Sequence, residues 1–84
     1  MSDLHGDSLD GCLRMGLRDM RGLSDVGAVH ALRRLYRMVR AKSDPASPKH
    51  AERHALLRQA ARDLRGRGAA VPSAEELASW VGGP

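Results

Sequence analysis

The sequence predicts an all-α fold, a small bundle of three to four short helices. Apolar residues recur at spacings of three and four, which places them on one side of a helix. Segments rich in Gly, Pro and Ser divide the chain into four such stretches, and none alternates apolar and polar residues as a half-buried strand would. The 84 residues fit one domain, which we expect to span residues 1–84 with flexible ends at 1–6 and 82–84.

The first two predicted helices each carry an apolar stripe. Asp7 or Ser8 can cap the first helix, and Gly22 ends it. Its stripe comprises Leu9, Cys12, Leu13, Leu17 and Met20. Ser24 or Asp25 can cap the second helix, whose stripe comprises Val26, Val29, Leu32, Leu35, Tyr36 and Val39.

Two prolines separate the second helix from the third. Pro45 and Pro48 interrupt a helix, because each lacks an amide hydrogen and restricts the residue before it. Ser47 followed by Pro48 is typical of a helix start. We expect the third helix to end near Arg65, at the glycines that follow, and to bury Leu57, Ala60, Ala61 and Leu64.

A short fourth helix is expected after Ser73. Ser73 and Glu76 match a capping box, in which each side chain bonds the other residue's backbone N–H. The apolar edge of this helix comprises Leu77, Trp80 and Val81.

The predicted core is thin. Tyr36 and Trp80 are the only Tyr and Trp, and the chain has no Phe, so aliphatic side chains must fill the interior. Cys12 is the only cysteine, which excludes a disulfide within the chain and favours a reducing compartment. Small domains of this kind are commonly supported by a partner chain, and a homo-oligomer is one form that such support could take.

Nothing in the sequence predicts a membrane segment. No apolar run approaches the ~18–20 residues of a spanning helix. The first ten residues contain Asp3, Asp7 and Asp10 instead of the basic residues of a signal peptide. We therefore expect a cytoplasmic protein without a membrane partner.

Positive charge is concentrated in the middle of the chain. From residue 30 to residue 67 there are eleven Lys or Arg against three acidic residues, a balance of +8. Residues 1–29 hold three Arg against five Asp, and residues 68–84 hold two Glu, so each end carries −2. The net charge of +4 is therefore the sum of a strongly basic central segment and two weakly acidic ends.

One side of the second predicted helix is wholly basic. At about 100° per residue, the side chains that point away from the apolar stripe are those of the basic face: His30, Arg33, Arg34, Arg37 and Arg40. Like charges one turn apart repel by about 0.2–0.5 kcal/mol per pair, a cost that an acidic partner would offset. The alternative, a solvated surface that only keeps the chain soluble, stays open. Secondary basic contacts are predicted at Arg53, Arg58, Arg62 and Arg65, with Trp80 as an apolar anchor.

Two short motifs suggest chemistry that the rest of the sequence does not complete. Residues 6–9, Gly-Asp-Ser-Leu, match a hydrolase motif, but a helical chain lacks the sheet that would present Ser8 as a nucleophile. The same Ser resembles the phosphopantetheine site of carrier proteins, without the long helix that precedes it there. His50 and His54 lie one helical turn apart and could form half of a metal site, but no third ligand is evident. We predict no catalytic residue, metal, cofactor or small-molecule substrate.

Two longer segments resemble known families. Residues 66–78 are similar to the first half of helix-turn-helix units in GntR-type repressors and sigma factors. Residues 31–37, which contain Leu35-Tyr36-Arg37, are similar to the Leu-Tyr-Arg adaptor family of small basic helical proteins that bind acyl carrier protein. The Phe that follows the motif in that family has no counterpart here. This resemblance implies a basic helical surface that binds an acidic partner.

The sequence therefore predicts a small non-catalytic binding or regulatory protein. Its basic face is expected to dock on an acidic protein partner, where charge complementarity favours fast and specific association. The alternative is sequence-independent binding to the phosphate backbone of DNA or RNA, which weakens steeply with salt.

Overall fold

The bundle consists of four helices. A computed structural model of the chain describes the backbone of residues 3–82 and the side chains of residues 8–73, 75–77 and 79–80. The helices are α1 (Asp3–Met20), α2 (Asp25–Lys42), α3 (His50–Gly66) and α4 (Ala74–Gly82). No strand occurs within residues 3–82, so the predicted all-α bundle is confirmed. No helix in this range is long and apolar enough to cross a membrane.

Helix α2 is the centre of the bundle. It packs against each of the other three helices, whereas α1 and α3 contact each other less extensively. The predicted stripe of α3 is buried as expected, and so are four of the six stripe residues of α2. Helix α1 adds Leu9, Leu13 and Met20 to the interior, and Leu77 of α4 covers one end. Because α2 contacts three neighbours, the one side that it leaves exposed is the side that carries its basic residues.

Two residues assigned to the apolar stripes lie on the surface. Cys12 is exposed and lies beside Met38 and Lys42 at the edge between α1 and α2. Val26 is 71% exposed, because it lies in the first turn of α2 on the same side as His30 and Arg33. The predictions that these two side chains are buried are therefore wrong.

The structure shifts two helix starts. Helix α1 begins at Asp3, so Ser8 lies within the helix and is not its N-cap. Helix α3 begins at His50 and not at Pro48, because two consecutive turns precede it: the Ser47 N–H donates to the Asp44 carbonyl (2.9 Å), and the His50 N–H donates to the Ser47 carbonyl (3.0 Å).

The ends predicted to be flexible fall partly within helices. Residues 3–6 belong to α1 and Gly82 to α4. Residues 1, 2, 83 and 84 lie outside the described residues, and for them flexibility stays a prediction.

Two predicted helix starts and one helix end are confirmed in atomic detail. Ser24 Oγ accepts from the Gly27 N–H at 3.3 Å, and Ser73 Oγ accepts from the Glu76 N–H at 3.4 Å. Helix α3 ends at Gly66. Two residues later, Gly68 has a φ of +92° and is followed by a bond from the Ala69 N–H to the Leu64 carbonyl (3.0 Å). This geometry favours glycine, because other residues rarely adopt a positive φ.

Gly11 and Gly16 of α1 differ in their surroundings, so alanine should affect stability differently at the two positions. A Cβ at Gly11 would meet no atom within 4 Å, whereas a Cβ at Gly16 would lie 2.6 Å from Leu35 Cδ2. We expect Gly11→Ala to raise the free energy of unfolding by about 0.5–1 kcal/mol through helix propensity. Gly16→Ala should lose this gain, because Leu35 must move. Urea denaturation measures both, and equal stabilisation would refute a close approach of α1 to α2 at Gly16.

Candidate partner-binding surface

The basic face of α2 is on the surface of the protein. All five of its side chains are exposed, from His30 in the second turn to Arg40 in the last. The 18 residues of α2 rise about 27 Å at 1.5 Å per residue. The four arginines of the face, from Arg33 to Arg40, span about 10 Å of that length, or two turns.

Acidic side chains form ion pairs elsewhere in the fold. Asp10 pairs with Arg53 (2.8 Å) and Lys49 (3.5 Å), and Asp25 pairs with Arg67 (3.0 Å). None of these cations belongs to the basic face. Within the described part of the chain, the exposed arginines that form no ion pair include Arg34, Arg37, Arg58 and Arg62. The charge on this surface is consequently left to solvent or to a partner.

Arginines of α2 and α3 contact α4 or the segment just before it. Arg65 Nη2 donates to the carbonyl of Pro72 just before α4, and Arg33 of α2 lies over the ring of Trp80 in α4. Arg58 and Arg65 also act on the Tyr36 hydroxyl: burial raises the pKa of Tyr36, and these two guanidinium groups partly oppose the rise. Arg33 thus contacts α4 directly, whereas Arg65 reaches only the segment that precedes it.

Helix α1 packs against both α2 and α3. A groove between α1 and α3 is lined by Leu17 and Met20 from one helix and by Leu56, Gln59 and Asp63 from the other. Arg21 and Arg67 also line this groove, and Arg53 of α3 pairs with Asp10 of α1. The side of α3 that faces α1 therefore carries cations as well.

Trp80 is less accessible than an apolar anchor would be. The Trp80 ring makes an edge contact with buried Tyr36, with 5.8 Å between ring centroids. The guanidinium of Arg33, on α2, lies 5.6 Å from the centroid of the Trp80 ring. Such aromatic and cation–π contacts contribute about 0.5–1.5 kcal/mol each. Trp80 is half-buried and packs against the core, so its main contacts hold α4 on α2.

Arg53 is not a surface contact, which corrects the sequence prediction. Its side chain is buried, with only 4% of the residue exposed. Arg53 Nε donates to Asp10 Oδ1 (2.8 Å) and Nη1 donates to Ser43 Oγ (2.9 Å). The Arg53 hydrogen bond holds the pKa of Asp10 below its usual value, although partial burial opposes this. Arg53 instead joins α1 and α3 to the C-terminal end of α2.

The Arg53 network continues into the two histidines of α3. Ser43 Oγ lies 2.7 Å from His50 Nδ1, and His50 Nε2 lies 3.0 Å from His54 Nε2. Burial lowers the pKa of His54, and the nearby His50 and Arg58 lower it further. The folded state therefore favours the neutral form of His54. The stability that neutral His54 contributes is fully present above its ordinary pKa of 6.5, and it is lost as the pH falls through the lower pKa of the folded state.

Sequence reasoning found the histidine pair but missed the residues that support it. Asp10 and Arg53 are 43 positions apart in the chain, and spacing alone does not join them. One signal was present: Arg53 lies on the stripe of Leu57, Ala60 and Leu64, four, seven and eleven residues before them. A guanidinium on a buried stripe requires a paired acceptor, which the sequence analysis did not consider.

Comparisons with protein-family models, curated proteins and solved structures found no match for this chain. Within Leu35-Tyr36-Arg37, the first two side chains are in the core and only Arg37 is exposed.

Proposed function

We propose that the protein is a non-catalytic binding protein that docks on an acidic protein partner through its basic face. The observation that supports this most is the set of exposed arginines on α2 and α3 that form no ion pair, while Asp10 and Asp25 pair with cations elsewhere. Carboxylates of a partner would neutralise mutual repulsion on this surface. Arg33 and Arg40 would extend the contact along α2.

An exposed apolar residue within this surface favours a protein partner over nucleic acid. Val26 is 71% exposed and precedes His30, Arg33 and Arg37 by four, seven and eleven residues, so it belongs to the same side of α2. An apolar side chain contributes nothing to a phosphate contact, but protein interfaces combine apolar centres with a charged rim. The half-buried edge of Trp80, next to Arg33, adds to the apolar part.

The charges are expected to act mainly on recognition and association rate. Exposed arginines remain solvated, and each ion pair at the rim of an interface contributes about 0–1 kcal/mol. Complementary fields instead speed association and exclude basic partners. Raising the salt concentration should therefore slow binding to the partner more than it speeds dissociation.

A double charge reversal tests the docking surface. We expect Arg34→Glu with Arg37→Glu to reduce capture of an acidic partner from the native host at least tenfold, measured by affinity purification and quantitative mass spectrometry. The matched control is Arg18→Glu with Arg21→Glu, which reverses two exposed arginines, one in the last turn of α1 and one just after it. Both variants lower the net charge by four, so a difference between them reports position and not total charge.

Two results would overturn this proposal. One is capture of the same partners at the same level by wild type and by the α2 variant. The other is tight binding of a random-sequence DNA duplex that falls by orders of magnitude between about 50 and 200 mM salt, and that the α2 reversal abolishes. The second result would support the nucleic-acid alternative.

A further inference from the structure

The two histidines of α3 present their outer ring nitrogens to each other. His50 and His54 lie one turn apart at the start of α3, with 4.4 Å between ring centroids. Their Nε2 atoms are 3.0 Å apart, and both side chains are half-buried, so the pair is reachable from solvent. Only one hydrogen fits between two nitrogens at this distance, so at least one Nε2 carries a free lone pair.

The buried network behind His50 fixes the orientation of its ring. Arg53 can only donate hydrogen bonds, so Ser43 Oγ accepts from Arg53 Nη1 at 2.9 Å. The second lone pair of Ser43 Oγ can accept from His50 Nδ1, which lies 2.7 Å away. In that arrangement the Nε2 of His50 carries a lone pair, and His54 supplies a second one in the tautomer that has its hydrogen on Nδ1. A histidine that donates through its second nitrogen to a fixed acceptor is the usual support of a metal ligand.

We propose that His50 and His54 chelate a transition-metal dication of the Zn²⁺, Ni²⁺ or Cu²⁺ class through their Nε2 atoms. At metal–nitrogen distances of about 2.0–2.1 Å, two ligands are separated by about 2.9 Å at a right angle and by about 3.3 Å in a tetrahedron. The observed 3.0 Å falls within this range. Imidazole nitrogens suit these three ions better than they suit Mg²⁺ or Ca²⁺.

Local charge permits such a site and limits its affinity. Asp10 pairs with Arg53 at 2.8 Å, which offsets the cation nearest to Ser43. Arg58 lies close enough to influence His54 and opposes a bound dication. Among the described residues, no group of three His, Cys, Asp or Glu side chains could hold a metal ion. The chain therefore supplies two ligands, and water or a partner's side chain occupies the other positions.

Zinc titration of the full chain tests this proposal without reference to the partner-binding surface. We expect zinc chloride to bind with one ion per chain by calorimetry, and to shift the ring nitrogen resonances of His50 and His54 in NMR spectra. His54→Gln should weaken binding at least tenfold. His30→Gln, which removes an exposed histidine on α2, should leave the affinity within twofold of wild type.

A second variant reports on the supporting network. Ser43→Ala keeps both ligands but removes the acceptor for His50, and we expect about a 10–100-fold loss of zinc affinity, with circular dichroism used to confirm that the variant is folded. Zinc binding that leaves the His50 and His54 ring resonances unmoved would overturn the proposal. So would equal affinity in wild type and His54→Gln, and so would the absence of zinc binding to wild type at millimolar concentration.

Discussion

Arg53→Met should lower the free energy of unfolding by about 2–4 kcal/mol, although Met has a similar length and fits an apolar stripe. The change leaves the Asp10 carboxylate without its closest cation (2.8 Å) and Ser43 Oγ without the Arg53 donor. Breaking a buried ion pair by removing one partner costs about 3–5 kcal/mol. We expect somewhat less, because the Asp10 side chain is 17% exposed and Lys49 lies 3.5 Å away. A domain of this size has a total stability of about 5–10 kcal/mol.

Equilibrium denaturation at neutral pH measures this loss. Arg34→Met is the matched control, because it makes the same chemical change at an exposed position and should shift stability by less than about 0.5 kcal/mol. Combining Arg53→Met with Asp10→Asn should cost much less than the sum of the single changes. Equal stability of the two Met variants would show that the Arg53–Asp10 pair does not stabilise the fold.

The same pair gives the wild type an acid dependence. Because the hydrogen bond from Arg53 lowers the pKa of Asp10 below its usual 3.8, the pair stabilises the fold above that value. The contribution is lost as the pH falls through the lower folded pKa. In Arg53→Met this part of the acid destabilisation should be absent.

Leu57→Ala should cost about 3–4 kcal/mol. Leu57 is fully buried, at 0% exposed, in a core cluster whose aromatic member is Tyr36. Leu→Ala changes at such positions cost about 2–5 kcal/mol, through lost burial and the cavity that remains. Because 1 kcal/mol shifts the melting temperature of a domain of this size by about 4–8 °C, this change should lower it by about 12–32 °C.

Leu56→Ala provides the control for this change at the neighbouring position. Leu56 is 44% exposed and borders the groove between α1 and α3, so its truncation should cost less than about 1 kcal/mol. Thermal and urea denaturation of both variants give the comparison. Similar losses for the two would mean that α3 packs with a different face than described.

Local patterns predicted the helices better than they predicted where the helices begin. Ser24, Ser73 and Gly68 were identified correctly, because capping and positive φ depend on a few adjacent residues. The predicted start of α3 was wrong because Ser47-Pro48 fits a β-turn as well as the beginning of a helix. Backbone hydrogen bonds to the carbonyls of Asp44 and Ser47 form two turns there instead. The prediction that Val26 is buried was wrong. Its spacing from Val29 fits the apolar stripe, but within residues 3–82 no other helix covers the side of α2 on which Val26 lies.

The sequence by itself determined the all-α class, the central apolar stripes and the wholly basic face of α2. Each of these follows from residues within a few turns of one another, where helical geometry alone fixes which side chains share a side. Only the tertiary structure decided that Arg65 of α3 bonds the segment before α4, and that Arg53 is buried in a network with Asp10, Ser43 and the histidine pair. Those relations join residues up to 43 positions apart, and they depend on how the helices pack, which periodicity within one helix does not encode.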